Sequence, residues 1–161
     1  MFNGTIASNV NYGDTEPERT EDDVKKALDI AQGTDFVEKL EDKYQSKVAE
    51  GGTNLSGGQK QRVSIARAVC KRPEFYIFDD SFSALDYKTD RALRSELKKE
   101  TSGVTTIIVA QRIGTIMEAD KIIVLDEGRI VGMGKHRDLL RDCEVYMQIA
   151  RSQLSEEELA R

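Results

Sequence analysis

Leu55-Ser56-Gly57-Gly58-Gln59 is the stretch on which the reading of this chain turns. Ser56 with Gln59 three residues later forms a capping box, so a helix starts here. Gly57 and Gly58 leave the first turn without side chains, where backbone N–H groups have no intrahelical partner. A helix start stripped of bulk is an anion site, and such a turn can close over a phosphate with the Ser56 hydroxyl as an extra donor. Ser-Gly-Gly alone reads more simply as a loop that caps a helix. The full run from Gly52 through Lys60-Gln61-Arg62 carries the phosphate reading.

Downstream, the helix is predicted from Ser56 to about Cys70, closed by Arg72 and Pro73. About twenty residues after the glycines comes Phe75-Tyr76-Ile77-Phe78-Asp79-Asp80. Four apolar residues fit a buried parallel strand. Its acidic end places carboxylates at the strand's C-terminal edge, where open α/β sheets bind ligands. An amphipathic helix follows over 89–100, then a second buried strand over 104–110, a short helix over 112–117 and a third strand over 121–125. Asp126-Glu127-Gly128 marks a turn, with 129–131 returning as a hairpin partner. Two short helices and a polar tail follow. This alternation predicts an α/β fold with a mostly parallel sheet.

Upstream, Thr20-Glu21-Asp22-Asp23 fits a capping box, and Val24, Ala27, Leu28 and Ala31 keep helical spacing. Gly33 is expected to end that helix and Thr34 to cap the next, whose apolar face is Phe36, Val37 and Leu40. Residues 1–50 hold 12 acidic and 6 basic side chains, so the acidic excess of this chain of net charge −5 lies there. That balance argues against general nucleic-acid binding. No apolar run approaches the roughly 20 residues of a membrane-spanning helix. Met1-Phe2-Asn3-Gly4 lacks the basic and apolar regions of a secretory signal. Cys70 and Cys143 are far apart and outside any C-x-x-C pair, as expected of reduced, buried thiols. His136, the lone histidine, reads as a surface residue at a helix start.

With these pieces in order, the chain resembles the nucleotide-binding domain of an ATP-binding cassette (ABC) transporter. Leu55, Ser56, Gly57, Gly58 and Gln59 match the family signature, which contacts the γ-phosphate of ATP held on the opposite domain of a dimer. Phe75 to Asp79 matches the Walker B strand, whose Asp holds Mg²⁺ in P-loop NTPases. Ser83-Ala84-Leu85-Asp86 matches the D-loop, which crosses the dimer interface and couples the two ATP sites. Val48-Ala49-Glu50-Gly51-Gly52 is similar to the loop that exporters set against transmembrane coupling helices, though a solvated glycine turn fits it too. Residues 3–13 look like the segment after the Q-loop, and 122–134 like the family's C-terminal β-hairpin. The order and spacing fit ABC exporters in particular.

Two positions depart from the family pattern. Asp80 stands where the family has a Glu that orients or activates the attacking water. Its carboxylate is one methylene shorter, and general-base help is worth roughly 10²–10⁴ in rate. Gln111 stands where the family has a switch His; it can donate a hydrogen bond to the γ-phosphate but cannot take up a proton. Both changes weaken the site that this chain would form with its own Walker residues, while the signature stays intact. The combination looks like the degenerate half of a heterodimeric exporter; a homodimer with slow ATPase is the alternative.

No G-x-x-x-x-G-K-[ST] occurs in the 161 residues. Gly132-Met133-Gly134-Lys135-His136 imitates its end, but Arg129 occupies the first-Gly position and His136 replaces the hydroxyl, so a turn is expected. The matches to N-x-[ST] at Asn3 and Asn54 are chance on this reading.

The resemblance therefore implies a partial P-loop NTPase fold: a helical subdomain over 14–72 and the C-terminal part of the RecA-like core over 73–161. The phosphate-loop half, the Q-loop and the transmembrane region would lie upstream of Met1. ATP and Mg²⁺ are the implied ligands, with Asp79 on the metal, directly or through water. Asp80 would hold the water-activating position, Ser56 to Gln59 would bind ATP across the dimer, Asp86 would communicate between sites and Gln111 would sense the γ-phosphate. The implied partners are a second half-transporter and the coupling helices, at the cytoplasmic face of the membrane. The chain alone is expected to be inactive. A soluble ABC ATPase and a non-catalytic interaction module are the rivals.

Overall fold

The computed structural model describes residues 1–13 and 18–159. The expected start of the helical subdomain, residue 14, lies outside them. The chain divides by compactness into two units, Met1–Ile107 and Ile108–Arg161.

The first unit begins with β1 (Gly4–Thr5) and α1 (Ile6–Val10), followed by α2 (Glu21–Ile30), α3 (Thr34–Val37) and β2 (Lys47–Val48), which pairs antiparallel with β1. Next come α4 (Gly57–Lys71), β3 (Phe75–Asp79) and α5 (Tyr87–Glu100); β4 (Thr105–Val109) pairs with β3. The capping box at Thr20 forms as the sequence predicts, with Asp23 completing it. Gly33 is the N-cap of α3 rather than Thr34, which is its first helical residue. The end of α4 is set by Arg72 in the left-handed region, one residue before Pro73.

α4 packs along α1 and α2, burying Val63, Ile65, Ala66 and Val69 against Ile6, Val10, Ala27 and Leu28. One buried polar side chain ties the chain's first residues to this helix. Asn9 is 1% exposed. Its Nδ2 donates to the carbonyls of Phe2 (2.9 Å) and Thr5 (3.0 Å), and its Oδ1 accepts from the Phe2 N–H (2.9 Å) and from Arg67 of α4 (2.9 Å). All four of its hydrogen-bonding positions are thus used, as burial requires. The Arg67 guanidinium also lies 5.1 Å from the ring centroid of Phe2, which stacks on Tyr12 at 3.8 Å.

The apolar run of β3 is not buried on both faces. Tyr76 and Phe78 are 4% and 2% exposed, whereas Phe75 and Ile77 are 62% and 70% exposed. Successive side chains of a strand point to opposite faces, and only one face of β3 is covered among the described residues. β4 alternates likewise, with Ile107 and Val109 exposed. Among the described residues three two-stranded sheets form; β1–β2 is antiparallel, and β5–β6 is the antiparallel hairpin that the turn at 126–128 predicts.

The second unit holds α6 (Ile113–Ile116), the hairpin of β5 (Ile122–Asp126) and β6 (Arg129–Gly134), then α7 (His136–Asp142), α8 (Glu144–Gln153) and α9 (Glu156–Leu159). Its core is Ile113, Ile122, Val124, Leu139, Cys143, Tyr146 and Ala150. The Gly-Met-Gly run is the end of β6, not a turn. Gly132 is required there because a Cβ would come within 2.7 Å of Cys143 Sγ. α9 forms in what the sequence suggests is only a polar tail.

His136 is a helix start, as expected, but not a surface residue: it is 7% exposed. Its Nδ1 lies 2.8 Å from the Tyr146 hydroxyl, and its Nε2 is buried without a hydrogen-bond partner. The ring faces the core because Tyr146, on α8, reaches back to it. Burial pushes the His136 pKa below its ordinary value, and the repulsion of Arg137 adds to this. Burial also pushes the Tyr146 phenol up to about 12. Both cysteines are free and buried, as expected.

Candidate functional site

The turn at Ser56 is built as the spacing predicts. The Ser56 hydroxyl accepts from the Gln59 N–H at 3.3 Å, and Gln59 Oε1 accepts from the Ser56 N–H at 2.8 Å. Leu55 is buried and anchors the turn, while Ser56 and Gly57 are exposed. The loop before it is pinned by Asn54, whose Oδ1 accepts from Ala49 N–H and whose Nδ2 donates to the Lys47 carbonyl. Gly51 and Gly52 sit at φ +67° and +65°, the left-handed region where a Cβ is strained. At Gly52 a Cβ would also meet Met1 Cγ at 2.7 Å.

Asp79 closes β3 with an exposed side chain. Asp80 follows at φ +45°, also exposed, in a conformation that non-glycine residues rarely adopt. Its carbonyl accepts from Ser83 Oγ at 3.0 Å and from Gln61 Nε2 at 3.2 Å. Gln61 Oε1 accepts in turn from the Ala84 N–H at 2.9 Å. The signature turn and the acidic loop are therefore neighbours. A Cβ on Gly58 would lie 3.1 Å from the Ala84 carbonyl oxygen, so the second glycine is needed by the chain's own loop as well as by any phosphate.

Asp86 is the N-cap of α5. Its Oδ1 accepts from the Thr89 N–H at 3.0 Å and its Oδ2 from the Thr89 hydroxyl at 2.7 Å. Those two bonds hold its carboxyl below the usual carboxylate range. Arg62, one residue after Gln61, donates to the Gln32 carbonyl at 2.8 Å and lies 4.7 Å from the ring centroid of Phe36, which ties α4 to the end of α2.

Gln111 belongs to the second unit and is exposed. Gln153 of α8 braces its segment: Nε2 donates to the Gln111 carbonyl at 2.9 Å, and Oε1 accepts from the Ile113 N–H at 2.8 Å. The structure thus brings Leu55 to Gln59, Asp79, Asp80 and Asp86 into the first unit, and Gln111 into the second. Sequence reasoning missed the two bracing glutamines, Gln61 and Gln153. Gln61 carried a weak signal, its place five residues after Ser56 on the same helix. Gln153 carried none.

Among the described residues no group of three or more His, Cys, Asp or Glu could hold a metal. Mg²⁺ in nucleotide sites takes one or two carboxylates plus phosphate oxygens and waters, so the exposed Asp79 carboxylate fits that role without a protein cage. No helix among the described residues is long and apolar enough to cross a membrane.

Three comparisons bear on this arrangement. The ABC transporter family model matches residues 3–83, half of the chain. An uncharacterized ABC transporter ATP-binding protein of Mycobacterium tuberculosis is 46% identical over 154 residues, covering 95% of this chain and 26% of that protein. The ATP-dependent lipid A-core flippase of Hahella chejuensis is 42% identical over 159 residues, covering 97% of this chain and 26% of the flippase. A solved bacterial Atm1-family ABC exporter with ATP bound is similar with a TM-score of 0.91 and 40% identity, over 97% of this chain and 27% of that one. The chain thus spans about a quarter of the length of the relatives it matches.

Proposed function

The chain belongs to the ABC transporter ATP-binding family, and from that premise we propose that it is the signature-bearing portion of an exporter's ATP-binding domain. The observation that carries the reading is the first turn of α4, where a formed capping box leaves Ser56 and Gly57 exposed beside the acidic loop. In this reading residues 14–72 are the helical subdomain and 73–161 the C-terminal part of the ATPase core. The exposed apolar face of β3 and β4 is covered by the part of the domain that carries the phosphate loop.

Ser56, Gly57, Gly58 and Gln59 bind the ATP phosphates of a partner's site through backbone N–H groups and the Ser56 hydroxyl. Asp79 takes Mg²⁺, which neutralises charge on the β- and γ-phosphate oxygens. Asp80 occupies the water-activating position with a side chain one methylene short of the family's Glu. Gln111 donates a hydrogen bond to the γ-phosphate without accepting a proton. Asp86 fixes the start of α5 and so sets the course of the loop that runs between sites.

With Asp80 at the water-activating position, the ATP site of this chain's own Walker residues is the slow one, and the signature completes the active site of a different half-transporter. The loop at 48–52, pinned by Asn54, faces the coupling helices of a transmembrane region at the cytoplasmic side. Without a phosphate loop in its 161 residues, the chain alone binds ATP negligibly. Turnover measured on each full-length half-transporter separately and on the pair tests this. The pair is expected to hydrolyse ATP and the half carrying this chain to be nearly silent; vigorous hydrolysis by that half alone would contradict the heterodimer.

A further inference from the structure

We propose that Gln61 is a positioning residue that locks the signature turn to the acidic loop of the same chain, so that the two ATP sites this chain serves respond as one. One carboxamide makes three hydrogen bonds to that loop. Its Nε2 donates to the Asp80 carbonyl at 3.2 Å and to Ser83 Oγ at 3.1 Å, and its Oε1 accepts from the Ala84 N–H at 2.9 Å. Two donors and an acceptor on one planar group are what Asn and Gln offer, and only the longer one starts from a helix at this distance.

The partners are not ordinary backbone. Asp80 is held at φ +45°, a conformation that persists in a non-glycine residue only where its surroundings over-determine it. Gln61 and Ser83 supply those surroundings through the Asp80 carbonyl. On the other side a Cβ on Gly58, three residues before Gln61, would stand 3.1 Å from the Ala84 oxygen, so the bare glycine lets the turn and the loop pack closely. A movement of the loop at one site must therefore either carry α4 with it or break the Gln61 bonds.

This inference rests on the reading that Ser56 to Gln59 and Asp80 serve different ATP sites; the clamp itself does not. Two measurements separate them. Amide hydrogen exchange on the full chain compares the native protein with Gln61→Leu and Gln61→Glu. Leu removes all three bonds, while Glu keeps an acceptor for Ala84 and loses both donors. Exchange at the Ala84 amide is expected to quicken about tenfold in Gln61→Leu, the scale of losing one well-made hydrogen bond, and to stay near native in Gln61→Glu. Exchange within α4 stays unchanged in both. Equal Ala84 exchange in the native protein and Gln61→Leu overturns the clamp.

In the assembled transporter, Gln61→Leu and Gln61→Glu are both expected to lower kcat about tenfold or more with ATP affinity within about threefold, because both lose the Nε2 bonds through which the acidic loop steadies the signature turn. A loss confined to ATP affinity, or an unchanged kcat, overturns the coupling role. If a Gly57→Asp variant also hydrolyses ATP normally, the functional reading has failed, while the Ala84 exchange still reports on the clamp.

Discussion

His136 illustrates what a single residue commits the fold to. Its imidazole is buried, bonded to Tyr146 through Nδ1, with Nε2 unpaired. Burial lowers its pKa below the ordinary 6.5, so the native state resists protonation while the unfolded state accepts it. Stability from this group is present above about pH 6.5 and is lost as pH falls through the native value. Thermal melting of the chain between pH 7.5 and pH 5 is expected to show a decline that Gln at position 136 flattens; identical slopes for both proteins would remove His136 as the cause. The sequence placed His136 at a helix start, which is a local property. Its burial depends on a tyrosine ten residues on, in the next helix, and no spacing rule reports that contact. Asp80 is similar: its identity is plain in the sequence, but its left-handed backbone is set by groups 3 and 19 residues away.

At the scale of elements, α4 organises the first unit. Its start, its length and its end were legible because a capping box, helical spacing and a following proline all act within one or two turns. What α4 holds was not legible, since Arg67 reaches Asn9 across 58 residues of sequence and Gln61 reaches Asp80 across 19. The α1–α4 junction gives a direct test. Asn9→Leu leaves the part-buried Phe2 N–H and Arg67 Nη2 donors without the Asn9 side-chain acceptor, which costs about 1–3 kcal/mol per group. Denaturant unfolding should place the loss within that range or above it; a change under about 0.5 kcal/mol, typical of surface sites, would mean the network is dispensable. The strands teach the converse lesson. An apolar run such as Phe75 to Phe78 announces a strand, but which face is covered is decided by what packs on it.

For the whole molecule, the distribution of apolar surface matters more than the charge-rich composition. Phe75, Ile77, Ile107, Ile123 and Leu125 are all at least half exposed on strands. Exposed apolar strand faces and open edges favour association between chains. Sedimentation of the 161-residue chain is expected to show concentration-dependent association, reduced by Ile77→Lys and Ile107→Lys. A monomer at all concentrations, unchanged by those substitutions, would show that these faces do not drive contacts. The acidic surplus of residues 1–50 does not oppose this, because the exposed strand residues lie in the nearly neutral remainder.

The central claim, that this chain serves a partner's ATP site better than its own, is tested most directly by two substitutions in the assembled transporter. Gly57→Asp puts a negative charge into the turn proposed to face a phosphate. It has room, with only Ala84 Cβ near at 3.5 Å, and an acid in a helix's first turn suits the helix. Asp80→Asn removes the carboxylate from the proposed water-activating position. With steady-state ATP turnover as the readout, Gly57→Asp should abolish hydrolysis while Asp80→Asn leaves it nearly unchanged. Full turnover with Gly57→Asp and a collapse with Asp80→Asn would contradict the account.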